Sequence, residues 1–147
     1  MTLRTDASIA AVYGVERKGR VARPLFLSGV SAGFPSPAED YVDRTLDLND
    51  LLIRHPAATF FVRVAGDSMV GAGIQHNDIL IVDRSLEAAS GRIVIAVVAG
   101  ELTVKRLVRD KNGSRLVAEN PNYPPIPLTE ENGCEIWGVV TGVVRQF

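Results

Sequence analysis

Val62-Arg63-Val64-Ala65-Gly66-Asp67-Ser68-Met69 is the stretch around which the chain is organised. From Phe60 to Val64 apolar and polar residues alternate as in a half-buried strand, and the run then breaks into a Gly-Asp-Ser turn. Ser68 is therefore expected at a strand end. There a hydroxyl can be held at a surface beside backbone N–H groups able to bind a developing oxyanion, here those of Ser68 and Met69. Gly, Asp and Ser are also the residues that turns favour for conformational reasons alone, so an ordinary turn serine fits the same letters.

A nucleophile needs a base, and neither histidine is well placed by its context. His55 precedes Pro56 at an expected helix end, and His76 lies in the polar turn Gln75-His76-Asn77-Asp78. Lys105 differs. In Glu101-Leu102-Thr103-Val104-Lys105-Arg106-Leu107-Val108 the β-branched alternation predicts a strand, with Glu101, Thr103, Lys105 and Leu107 on one face. A lysine flanked by Thr103 and Leu107 is a candidate for burial. Burial disfavours the ammonium and can bring a lysine from about 10.4 toward the roughly 7 to 8 that suits a general base. A solvated strand lysine is the alternative.

Three blocks, in this order and spacing, resemble the UmuD and LexA family of self-cleaving serine/lysine proteins. They are Ala32-Gly33-Phe34-Pro35-Ser36-Pro37-Ala38-Glu39-Asp40-Tyr41, then Gly66-Asp67-Ser68-Met69, then Glu101-Leu102-Thr103-Val104-Lys105-Arg106-Leu107. Asp78-Ile79-Leu80-Ile81-Val82-Asp83 and Trp137-Gly138-Val139-Val140 support the likeness, which runs from Pro24 to the C terminus. The Gly-Phe-Pro-Ser-Pro run favours the UmuD branch over the LexA repressors. The resemblance implies a curled, mainly β peptidase body with one short helix and an extended N-terminal arm. It also implies Ser68 as nucleophile, Lys105 as base and a cut between Ala32 and Gly33, which divides the chain into an arm, 1–32, and a body, 33–147.

At 147 residues with a net charge of −1, the chain has the size and balance of one ordinary globular domain. The single cysteine, Cys134, cannot form an internal disulfide, and no apolar run is long enough to span a membrane; a cytoplasmic location is the expectation. Before Gly33 five basic residues face two acidic ones, a net of +3, which leaves −4 for the rest. That basic arm has no aromatic interleaving and reads as a solvated tail rather than a nucleic-acid contact. Interrupted by Gly14, Gly19, Pro24 and Gly29, it is too short for a helix-turn-helix with its own core, so no direct sequence-specific DNA binding is expected.

Ser31-Ala32-Gly33-Phe34-Pro35-Ser36-Pro37 reads as extended chain, the form a protease cleft accepts; Ala32 suits a tight pocket and Gly33 leaves the Ala32 carbonyl open to attack. The patches Ile9 to Tyr13 and Leu25 to Leu27 are expected to dock as loosely held pieces. Asp47 to His55 is the one expected helix, stopped by Pro56. Strands are expected at Ile79 to Asp83, Arg92 to Val98, Arg115 to Ala118 and Ile136 to Val144, with hairpin turns at Ala99-Gly100 and Asn112-Gly113. Asp67 is expected to shape its turn, Trp137 to fill core or interface, and Cys134 to be a buried or edge thiol. No metal and no cofactor are expected.

By resemblance, the chain forms a homodimer, responds to a RecA filament on single-stranded DNA, and after processing serves a UmuC-type Y-family translesion polymerase. The competing readings are a LexA-like or phage-repressor-like self-cleaving regulator and a non-catalytic dimeric binding module. A bacterial signal peptidase, which also uses Ser and Lys, would need a membrane anchor.

Overall fold

A computed structural model of the chain describes residues 8–16, 18–26 and 42–147. In chain order the strands are β1 (Ile9–Gly14), β2 (Ala22–Phe26), β3 (Val42–Asp47), β4 (Thr59–Val64), β5 (Ile79–Asp83), β6 (Ile93–Val98), β7 (Glu101–Asp110), β8 (Gly113–Val117), β9 (Ile126–Pro127) and β10 (Glu135–Val144). One short helix, α1, spans Leu48–Leu52. The fold is mainly β, as expected from the sequence.

The chain forms two compact units, Glu16–Arg54 being one and the segments up to Val15 and from His55 to Phe147 the other. The smaller unit holds the antiparallel pair β2–β3 and helix α1. Asp47 caps that helix through its side chain, which accepts from Asn49 N at 2.8 Å, and also accepts from Val21 N at 2.8 Å. The helix is shorter than the expected Asp47 to His55. It stops at Ile53, whose N–H bonds to Asn49 O, because the residue before Pro56 is pushed out of helical geometry; His55 sits at φ −128° and ψ 81°. His55 Nδ1 instead meets Asp83 Oδ2 at 2.6 Å. Burial pushes the Asp83 carboxyl up, but hydrogen bonds from the Ser85 hydroxyl, His55 and the Ser85 N–H outweigh it and hold the carboxyl below the usual range.

The larger unit is an eight-stranded antiparallel sheet in the order β1-β4-β5-β10-β6-β7-β8-β9. It is strongly curled. One core cluster joins Val62 and Val64 of β4, Leu80 and Val82 of β5, Ile95 of β6 and Val104 of β7 with Met69 and Ile74. A flat sheet would spread those strands over four spacings of about 4.8 Å each, too far for one compact cluster. A second cluster takes the alternate residues, Val94 and Ala96 of β6, Leu107, Leu116 and Val139. Strand β6 is thus covered on both sides, as its unbroken apolar run predicts.

The patch Ile9 to Tyr13 is not a loosely held piece. It lies in β1, paired with β4 from Ile9↔Val64 to Gly14↔Phe60 with a shift of register between Ile9 and Ala11. The Ala99-Gly100 hairpin forms as expected, with φ of 51° and 80°, the doubly positive turn that joins β6 to β7 at Val98↔Glu101. The next turn falls one residue earlier than expected: Asp110 pairs with Gly113, so Lys111-Asn112 makes the link, and Asp110 Oδ1 accepts from Asn112 N at 2.9 Å. Trp137 packs against Phe60 with the rings tilted by 57° and 5.3 Å between centroids, and carries the Arg84 guanidinium 4.5 Å from its ring centre. Cys134 is half-buried. Among the described residues no helix is long and apolar enough to cross a membrane.

Candidate active site

Strand β4 ends at Val64, and the chain turns at Gly66, whose φ of 87° is left-handed and whose N–H donates to His76 Nδ1 at 3.1 Å. Ser68 follows, 2% exposed, then Met69, whose side chain is buried in the core. A 3₁₀ turn over Val70–Ala72 comes next. Its Gly71 N–H bonds to Glu119 O at 2.9 Å, and a Cβ at Gly71 would stand 2.7 Å from that same oxygen, so only glycine allows this approach.

The return from this turn to β5 is held just as firmly. Asp78, buried at the head of β5, receives Arg145 Nε on Oδ1 at 2.7 Å, and Arg145 Nη2 (2.6 Å) and Gln75 N (2.8 Å) on Oδ2. The Arg145 hydrogen bond holds the Asp78 carboxyl below its ordinary range; burial opposes it, and the Gln75 N–H adds to it. Arg145 Nη2 also donates to Gly73 O at 2.8 Å, which ties the C-terminal strand to the segment following Ser68.

Lys105 comes from the middle of β7. Val104 belongs to one core cluster and Leu107 to the other, which agrees with the predicted alternation and puts Lys105 on the face of Thr103 and Leu107. It is 1% exposed. Its Nζ lies 3.3 Å from Ser68 Oγ, 2.8 Å from Thr103 Oγ1 and 3.2 Å from Val104 O. The curl thus brings together the two side chains that the sequence singled out, from the end of β4 and the middle of β7.

Such an arrangement can move a proton. Two N–H bonds of a neutral amine are taken by Thr103 Oγ1 and Val104 O, and a further direction of the nitrogen points at Ser68 Oγ. A neutral amine held in that position can accept the hydroxyl proton.

Other residues around the pair gave no sign in sequence. The segment after β8 folds against the Ser68 turn: Asn120 Nδ2 donates to Asp67 O at 2.9 Å, and Tyr123 Oη donates to Asp67 Oδ1 at 2.6 Å. The Tyr123 ring centre is 5.8 Å from Lys105 Nζ. Asp67 therefore anchors its turn by gripping a segment more than fifty residues away. Asn and Tyr in Glu119-Asn120-Pro121-Asn122-Tyr123 read locally as loop residues, and only the tertiary contact gives them a role. Ala32 and Gly33 lie outside the described residues. Among the described residues, no group of three or more His, Cys, Asp or Glu side chains could hold a metal ion.

A curled, mainly β body that brings a buried lysine against a buried serine in the turn after β4 has the architecture in which serine-peptidase chemistry can be housed. The chain belongs to the Peptidase S24-like family, whose model matches residues 24–141, and with that family to the self-cleaving serine peptidases in general. Within it the chain is UmuD-like. It is 49% identical to Protein ImpA of Salmonella typhimurium over 125 residues, 84% of each chain. To Protein MucA of Escherichia coli it is 45% identical over 119 residues, 80% of this chain and 81% of the relative. LexA repressor 1 of Pseudomonas putida is 37% identical over 136 residues, 92% of this chain and 67% of the repressor.

Proposed function

We propose that the chain is a protein of SOS mutagenesis that cuts itself between Ala32 and Gly33 with Ser68 and Lys105. The observation that carries this reading is the 3.3 Å approach of Lys105 Nζ to Ser68 Oγ with both residues buried. Neutral Lys105 takes the Ser68 proton as Oγ bonds to the carbonyl carbon of Ala32. Backbone N–H groups of Ser68 and Met69 stabilise the oxyanion. The C–N bond to Gly33 then breaks, the proton held by Lys105 passes to the departing amine, and water releases the arm from Ser68 by the same base. The products are residues 1–32 and a body, 33–147.

Because the substrate is tethered, its supply is not limiting, and control falls to geometry. A RecA filament on single-stranded DNA raises the cutting rate if it binds the cleavable arrangement better than the resting one. The processed body acts in the cytoplasm as a homodimer and accessory subunit of a UmuC-type polymerase. The test is to incubate the purified chain with RecA, single-stranded DNA and a slowly hydrolysed ATP analogue and weigh the products. A fragment beginning at Gly33, absent from Ser68→Ala and Lys105→Ala, supports the reading; an uncut chain or another cut site counts against it.

A further inference from the structure

Ser8 lies immediately before β1, within the arm that the cut would remove, and it is 1% exposed. Its carbonyl accepts from Ala65 N at 2.6 Å, in the link between β4 and the Ser68 turn. Its hydroxyl lies 2.8 Å from Thr103 Oγ1 and accepts from Val104 N at 2.8 Å. The need for such a partner follows from the sheet. Strand β7 pairs with β6 from Glu101 to Arg106 but with β8 only from Arg106 to Asp110, so the outer flank of Glu101–Lys105 is in ladder pairing with no strand among the described residues. The Val104 N–H on that flank is buried and requires an acceptor. A serine hydroxyl, both acceptor and donor, satisfies it and still reaches Thr103.

Thr103 Oγ1 in turn accepts from Lys105 Nζ at 2.8 Å. The hydroxyls of Ser8 and Thr103, the Lys105 amine and the Ser68 hydroxyl form a continuous buried chain of hydrogen bonds. We propose that Ser8 is a positioning residue for Lys105, so that the segment lost on cutting supplies part of the machinery that cuts it. Without the Ser8 hydroxyl, Thr103 Oγ1 loses the contact that fixes its rotor, and Lys105 Nζ loses a fixed anchor opposite Ser68. A site off by even a fraction of an ångström reacts more slowly. This inference rests on the peptidase reading above.

Threonine and valine have the same shape and differ at the hydroxyl, so the test uses full-length Ser8→Thr, Ser8→Val and Ser8→Ala beside the unaltered chain. Self-cleavage with the RecA filament is timed by mass spectrometry. The valine and alanine chains are expected to cut about tenfold more slowly than the threonine chain, the cost of one buried hydrogen bond. Equal rates for Ser8→Thr and Ser8→Val, or an alanine chain as fast as the unaltered one, would overturn the role. Slowing accompanied by lost amide-exchange protection along β1 would also overturn it, by assigning the effect to the strand.

A second readout does not depend on cutting. In a full-length Ser68→Ala chain, the Lys105 side-chain resonances are titrated by NMR with Ser8 and with Ser8→Ala. A displaced midpoint is expected, and superimposable curves would sink the inference. An unaltered chain that stays whole with RecA defeats the peptidase reading, while the titration still judges Ser8.

Discussion

Tyr123 Oη donates to Asp67 Oδ1 at 2.6 Å, joining the turn of the candidate nucleophile to a segment that follows it by more than fifty residues. The same residue turns its ring toward Lys105 Nζ at 5.8 Å, so one side chain touches the surroundings of both Ser68 and Lys105. Tyr123→Phe keeps the ring and removes the hydroxyl. It is expected to cost about 1 kcal/mol of stability, the usual worth of such a hydrogen bond, and to slow self-cleavage about tenfold. Denaturant titration and timed cleavage check this. A variant that cuts at the unaltered rate would show that Asp67 needs no anchor.

Gly71 tests the same contact from the other side. An alanine Cβ there would press on the Glu119 carbonyl at 2.7 Å, a backbone atom that cannot swing aside. Relief requires the segment of Asn120 and Tyr123 to move, with strain of roughly 1–3 kcal/mol. Gly71→Ala is therefore expected both to lower stability and to slow cutting, although it touches neither Ser68 nor Lys105. Amide-exchange protection at position 71 that is the same in the variant as in the unaltered chain would contradict the close approach.

Asp78 and Arg145 set a limit at acid pH. The Arg145 hydrogen bond, against opposing burial, holds the Asp78 carboxyl below its ordinary 3.8. A carboxyl lowered by folding stabilises the native state fully above its unfolded value, and that contribution fades as pH falls through the lower, folded one. The melting temperature is thus expected to drop as pH falls below about 4. In Arg145→Ala the largest lowering cause is gone while burial remains, so the Asp78-linked loss of stability on acidification should shrink, from a baseline several degrees lower at neutral pH. Calorimetry between neutral and acid pH measures both; parallel profiles would remove Asp78 from the account.

How much of this was legible in the sequence depended on how local each signal was. Phe60 to Val64 and Glu101 to Val108 declare strands by alternation, and Ala99-Gly100 declares a hairpin. Ser68 read locally as an ordinary turn serine and Lys105 as a strand lysine that burial or solvent fits equally; the order and spacing of three blocks picked them out. By contrast, Ile9-Ala10-Ala11-Val12-Tyr13 has no clean alternation and becomes a strand only because β4 offers an open edge. Ser8, Asn120 and Tyr123 are ordinary turn or loop residues until the curl lays them against β7 and the Ser68 turn. The helix was overread at its end because the restriction ahead of Pro56 stops it at Ile53, before the basic Arg54 and His55 that read as its last turn.

The sharpest separation of charge from basicity comes at Lys105. An arginine there keeps a cation in the pocket but stays protonated at any accessible pH, so it cannot take the Ser68 proton. If Lys105 served only to attract or orient the peptide, Lys105→Arg would retain part of the activity. As the base, it leaves Lys105→Arg as inert as Lys105→Ala, while the unaltered chain cuts faster as pH rises and levels off once the amine is mostly neutral. The rate without RecA, followed by mass spectrometry across the alkaline range, decides the matter. A flat profile, or an arginine chain that still cuts, would mean that something other than this amine accepts the proton.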